Sequence, residues 1–180
     1  MSCAPWQCAE DSMVKKALKI SKPAVAVSLI KRADRPILIV GSNATLYNLE
    51  GKLLIEYLID FAKMSKIPIV ATAHMIAEFL KRDYKPAGFM SAMDIGNRLT
   101  DPDWNGIDNK GQHDLAIFVG LPYYLEAQIL SGLIHFAPKL QTMTLDNKHH
   151  PHANWSFPNA GVKIWAENLK VITSLFKGEK

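Results

Sequence analysis

Apolar residues are distributed along this chain in short unbroken runs separated by longer stretches of helical period. The firmest run is Ile37-Leu38-Ile39-Val40, set between Pro36 and Gly41. Four large aliphatics with no polar alternation are the pattern of a strand buried on both faces. Similar apolar runs occur at Ile67–Ala71 and Leu115–Val119, and Leu140–Leu145 reads as a fourth strand. Between the first two, apolar positions recur with helical spacing from Leu46 to Lys66: Lys52, Glu56, Asp60 and Lys63 mark a polar face, and Leu54, Ile55, Leu58, Ile59 and Ala62 a buried one. Helical patterns also cover Ala24–Ala33, Met75–Arg82, a segment near Ser91–Arg98 that follows a loop from Lys85, Tyr123–His135 and Val162–Phe176. Ser21 stands where an N-cap would precede the first of these helices, with Pro23 in its first turn.

Strand, turn, helix, strand is a βαβ unit, and its repetition predicts an α/β fold: a Rossmann-like, three-layer parallel sheet. Gly41, Thr72, Gly120 and Asp146 would then share one sheet edge, where ligands of such folds collect. Residues 1–20 lack a clean period and read as an N-terminal arm, with 21–180 as a single domain.

The strand-end edge is the candidate small-molecule site: Gly41, Ser42, Asn43, Thr72, Gly120, Asp146 and Asn147. Helix N-termini there favour a pyrophosphate, and small residues allow close backbone approach. The first turn has one glycine where the dinucleotide fingerprint G-x-G-x-x-G requires three, so plain strand-to-helix turn chemistry explains the same residues. Asp146 suits a ribose hydroxyl or, equally, a turn beside Asn147. His149, His150 and His152 invite a metal reading. Only His150 and His152 would converge in extended chain, and a surface tract of imidazoles is the plainer account.

Charge and cysteine content narrow the function classes. The net charge of +4 is spread over separate pairs such as Lys15-Lys16 and Lys81-Arg82, which argues against nucleic acid. No apolar run reaches the roughly 18–20 residues of a membrane span, and a cytoplasmic protein is expected. Cys3 and Cys8 could supply half of a cluster or zinc site, but no other cysteine completes it. No motif names a catalytic group or a metal centre.

The segment Thr100-Asp101-Pro102-Asp103-Trp104-Asn105-Gly106 is more specific. With Arg35–Gly41, Ile67–Thr72 and Asn154-Trp155-Ser156-Phe157-Pro158-Asn159, it resembles the epsilon subunit of the archaeal acetyl-CoA decarbonylase/synthase complex, from about Pro23 to the final helix. The strand segments are also similar to the flavin- and nicotinamide-binding central domain of thiamine-diphosphate enzymes. The resemblance implies a non-catalytic accessory subunit without a cluster of its own. It would pair with the nickel–iron–sulfur alpha subunit in an α2ε2 carbon monoxide dehydrogenase component, stabilise it, and take part in electron transfer to FAD. Asp101, Asp103 and Trp104 become the candidate partner-binding residues, since an exposed tryptophan is a common interface anchor. The alternative is a free-standing nucleotide- or flavin-binding enzyme using the strand-end pocket.

Overall fold

The computed structural model describes residues 16–72 and 75–177, so Cys3 and Cys8 lie outside the described residues. A seven-stranded, wholly parallel sheet carries the chain. Its centre is β2 (Pro36–Val40), flanked by β7 (Leu115–Val119) and β5 (Ile69–Thr72). Outward from β5 lies β6 (Gly88–Met90); outward from β7 lie β8 (Gln141–Thr144), β9 (Trp155–Ser156) and β1 (Leu18–Lys19). The four expected strands are thus parallel neighbours, and their carboxyl ends share one edge.

Side chains of the central strands alternate between two cores, as the period of two requires. Leu38, Val40, Ile117 and Val119 join the cluster that also holds buried residues of α1 (Pro23–Arg32), α2 (Leu54–Ser65), α3 (Met75–Leu80) and α6 (Val162–Lys177). Ile37, Ile39, Ala116 and Phe118 join the cluster of α4 (Ala92–Thr100) and α5 (Tyr123–Phe136). Both faces of the strands are covered, which is why their sequence is continuously apolar.

Several local expectations give way to turn chemistry. The helix predicted from Leu46 begins only at Leu54. Before it, β3 (Asn48–Leu49) and β4 (Lys52–Leu53) form an antiparallel hairpin. Its two turn residues, Glu50 and Gly51, both have positive φ (53° and 89°), the requirement of a tight hairpin turn, and the Gly51 N–H donates to Asn48 Oδ1. Lys52 is therefore a strand residue that reaches Asp60, not part of the helix face. Ser21 does not cap α1; Lys22 holds that position without a side-chain hydrogen bond. The segment after Lys85 contains an edge strand, β6, too short to leave a periodic signal. The last residues assigned to the arm also enter the sheet, with Leu18 and Lys19 paired to Trp155 and Ser156 and Ile20 buried.

Gly41 follows β2 and Gly120 follows β7, at the point where the strand order reverses direction. A Cβ at Gly41 would stand 2.3 Å from the Gly120 carbonyl oxygen, and Gly120 itself has φ +75°. Gly41→Ala should therefore cost about 3 kcal/mol in chemical denaturation, because backbone must move to admit one methyl group. Gly132→Ala on α5, where nothing lies within 4 Å, is the matched control and should be neutral or stabilising by about 0.5 kcal/mol. Equal effects at both positions would refute the backbone-contact account.

A buried carboxyl–imidazole cluster at the candidate functional site

The strand-end residues do converge, but they are used on one another. The Gly41 N–H donates to Val119 O (2.8 Å), Asn43 N–H to Gly120 O (2.8 Å) and Ala44 N–H to Gly41 O (3.1 Å). The Asn43 side chain donates to Leu121 O, and the buried Thr72 hydroxyl to Val40 O (2.9 Å). Gly120 N–H donates to both oxygens of Asp146, at 2.9 and 3.1 Å. Backbone donors that would cradle a pyrophosphate are thus already engaged. The remaining cavity, between Asn43, Tyr47, Tyr123, Asp146, Asn147 and His150, holds about 40 Å³. A dinucleotide site needs several hundred. The cavity in this conformation is far smaller than that, and a Cβ at Gly41 would meet the turn at Gly120.

Beneath that cavity lies a group the sequence reading missed. Glu126, in the first turn of α5, is fully buried, as is His150, and Asp146 is buried beside them. One donor atom from each falls within 4.8 Å of the others, and His150 Nε2 stands 3.7 Å from Glu126 Oε2. The His150 ring stacks on Tyr123, with centroids 4.2 Å apart. Neither Glu126 oxygen, nor His150 Nδ1, has a well-formed hydrogen bond among the described residues.

Burial dominates the electrostatics of all three. Desolvation, reinforced by the charge of Asp146, pushes the Glu126 carboxyl well above its ordinary range. Asp146 is raised to about 6 by burial, against which the neighbouring Glu126 carboxyl and the bonds from Gly120 N–H pull downward. Two buried carboxyls this close cannot both ionise cheaply, so Glu126 keeps its proton beside Asp146. His150 is lowered to about 4, chiefly by burial and then by His149, His152 and Lys148, and is neutral at pH 7.

The histidine tract is not a surface feature. His149 is buried, with Nδ1 facing Phe157 O at 3.2 Å and its backbone N–H on Asn159 Oδ1. His150 N–H donates to Ser156 Oγ, and Asn154 Oδ1 accepts from Thr142. The Asn154–Asn159 motif thus frames this loop. His150 meets Glu126 and Asp146. Glu126 was legible in principle: it is the only acid between Gly120 and Phe136, and it shares a helical stripe with Ile129, Leu130 and Leu133.

Asp101, Asp103 and Trp104 lie at the opposite sheet edge, before β7. Asp101 Oδ1 accepts from Asp103 N–H, and Gln112 Nε2 donates to Pro102 O (2.5 Å). Arg35 pairs with Asp108 at 2.5 Å. His113 accepts from Ile107 N–H through Nε2 and faces Arg35 O through Nδ1, the pattern of a neutral ring protonated at Nδ1. Trp104 is half-buried rather than exposed, tilted against His113 at 5.7 Å. Beside it, Phe136 is 73% exposed, and a groove of about 200 Å³ runs between them, lined also by Leu99, Pro138 and Leu140. Among the described residues no helix is long and apolar enough to cross a membrane.

Comparison with known proteins bears on the whole chain. The family described as CO dehydrogenase beta subunit/acetyl-CoA synthase epsilon subunit matches residues 1–173. The acetyl-CoA decarbonylase/synthase complex subunit epsilon of Methanothermobacter thermautotrophicus is 35% identical over 168 residues, covering 92% of each chain. Subunit epsilon 1 of the same complex from Archaeoglobus fulgidus is 37% identical over 151 residues, 83% of this chain and 78% of that protein. The epsilon subunit of Methanothrix soehngenii is 33% identical over 138 residues, 76% of this chain and 71% of its own.

The protonated Glu126 gives a pH signature. Its folded pKa lies above the unfolded value, so the native chain keeps a proton that the unfolded chain releases above about pH 4.5. Stability from this group is complete below that pH and is lost as pH rises through the folded value. Glutamine is neutral at every pH and has no proton to lose. In EDTA, Glu126→Gln should therefore gain on the wild type with rising pH between 5 and 9, by up to about 1.4 kcal/mol per unit in urea denaturation. A pH-independent difference would mean that Glu126 is ionised throughout.

Proposed function

This chain belongs to the CO dehydrogenase beta subunit/acetyl-CoA synthase epsilon subunit family, and we propose that it serves as a non-catalytic accessory subunit of an acetyl-CoA decarbonylase/synthase complex. The observation that carries this reading is likeness to curated epsilon subunits over nearly the full length of the chain. Its partner in the proposal is the large nickel–iron–sulfur alpha subunit, in an α2ε2 carbon monoxide dehydrogenase component, and its role is to stabilise that component.

The docking surface we favour is the edge that carries Trp104 and Phe136. The loop from Asp101 to His113 is held in shape by its own Asx turn, by Gln112 and by the Arg35–Asp108 pair. A preorganised loop beside an exposed aromatic ring loses little entropy on association. Half-burial of Trp104 does not remove it from this surface, because one face still lines the groove with Phe136. FAD belongs to the finer part of the proposal. The strand-end residues would hold it only if the partner drew Tyr47 and Tyr123 apart, so its binding would be a property of the complex.

Phe136→Ala is the clean test, since a side chain this exposed contributes little to the fold. Affinity for the co-expressed alpha subunit should fall about tenfold or more, with an unchanged melting temperature. Trp104→Ala should weaken binding similarly and also lower stability, because the indole packs on its own core. Undiminished binding by both folded variants would move the interface elsewhere. FAD titrated into the chain should give no saturable signal, and a signal only with the partner present would support the flavin part.

A further inference from the structure

We propose that Glu126, Asp146 and His150 form a binding site for one divalent first-row cation, of which Zn²⁺ is the probe. The proposal stands on geometry and on unsatisfied chemistry, and is independent of how the chain docks. Three buried side chains from three places in the fold, the first turn of α5, the turn just after β8 and the histidine loop, place ligand atoms within 4.8 Å of one another. Both Glu126 oxygens and His150 Nδ1 are buried without a well-formed hydrogen bond among the described residues. Such orphans are rare in a folded interior, and each costs about 1–3 kcal/mol unless something satisfies it.

A cation resolves the difficulty more fully than a proton. Two carboxylates bring two negative charges, and a divalent ion balances both inside a low-dielectric pocket. The set of two carboxylates and one imidazole suits Zn²⁺, Mn²⁺ or Fe²⁺. Three protein ligands leave a fourth position open, the arrangement of zinc sites that retain a water. The adjoining cavity of about 40 Å³ touches Asp146 and His150 and has room for that water. His150 Nε2 and Glu126 Oε2, 3.7 Å apart, are close to the roughly 3.4 Å edge of a tetrahedral site, and the Asp146 ligand atom lies within 4.8 Å of the other two.

Further contacts hold the Asp146 carboxylate and the His150 residue in place. Gly120 N–H holds the Asp146 carboxylate, and the Tyr123 ring and the bond from His150 N–H to Ser156 Oγ fix the imidazole. Second contacts of this kind orient ligands and are worth about 10–100-fold in affinity.

The test uses the full chain carrying Cys3→Ser and Cys8→Ser, stripped with EDTA and titrated with Zn²⁺ by calorimetry. One equivalent should bind, with a higher melting temperature. Glu126→Gln and His150→Phe in that background should each lose affinity by about 100-fold or more. Co²⁺ provides a reading without altering the site: the unsubstituted cluster should yield a ligand-field spectrum distinct from that of the aqueous ion. Absence of stoichiometric Zn²⁺, equal binding by both folded variants, or an aqueous Co²⁺ spectrum would each overturn the proposal.

Discussion

The contact on which the strand-end edge depends is backbone against backbone, between the turn after β2 and the turn after β7. Gly41 and Gly120 let these turns meet without side chains, and the meeting sets everything above it. It aligns Asn43 N–H on Gly120 O and leaves Gly120 N–H free to turn toward Asp146. In open α/β sheets this reversal of strand order is where a ligand crevice normally opens. Here the crevice is closed by the same small residues that would otherwise admit a phosphate. Glycine at a strand end is therefore ambiguous by itself: close approach of a ligand and close approach of a second turn impose the same steric demand.

Closing that crevice creates the second feature, a carboxyl buried under the first turn of α5. The helix N-terminus favours negative charge at Glu126, but desolvation opposes it and is the larger effect. A leucine of similar size would remove the conflict, so stability alone does not account for the residue. What distinguishes Glu126 is the company it keeps: Asp146 and His150 are also buried, and their remaining contacts orient rather than neutralise them. The Asn154–Asn159 motif gains its meaning from the same place. Asn154 ties the loop to β8, Ser156 and Asn159 hold the backbone of His150 and His149, and Phe157 anchors the segment in the core.

The sheet was legible because burial on both faces leaves an unmistakable apolar run, and because the helices that cover it are long and amphipathic. What escaped was short or relational. The hairpin at Asn48–Leu53 interrupts a helical period with only two residues of turn, and β1, β6 and β9 have three residues or fewer. Histidine burial could not be read from a polar, turn-rich stretch, since it depends on Phe157 and Tyr123 arriving from elsewhere. Asp146 was placed correctly on the strand-end edge, but its partner was overlooked. Glu126 is marked in the sequence only as an acid on an apolar stripe, a pattern that a solvated helix start shares.

The two surfaces of interest lie at opposite ends of the same strands. The Trp104–Phe136 groove sits where β7 and β8 begin, and the carboxyl–imidazole cluster where they end, about 17 Å apart along a five-residue strand. One rigid element joins them: α5 carries Glu126 in its first turn and Phe136 as its last residue. A partner pressing on Phe136 therefore acts on the helix that holds Glu126, with Ile129, Leu130 and Leu133 locking it to the sheet between. Packed helices shift as units rather than bend, so occupancy of one end and geometry at the other share a mechanical connection. Docking that moved α5 along its axis would change the spacing of Glu126 from Asp146, which is fixed to β7 through Gly120. Docking that left α5 in place would leave the cluster untouched, and the two ends would then act as independent features of one scaffold.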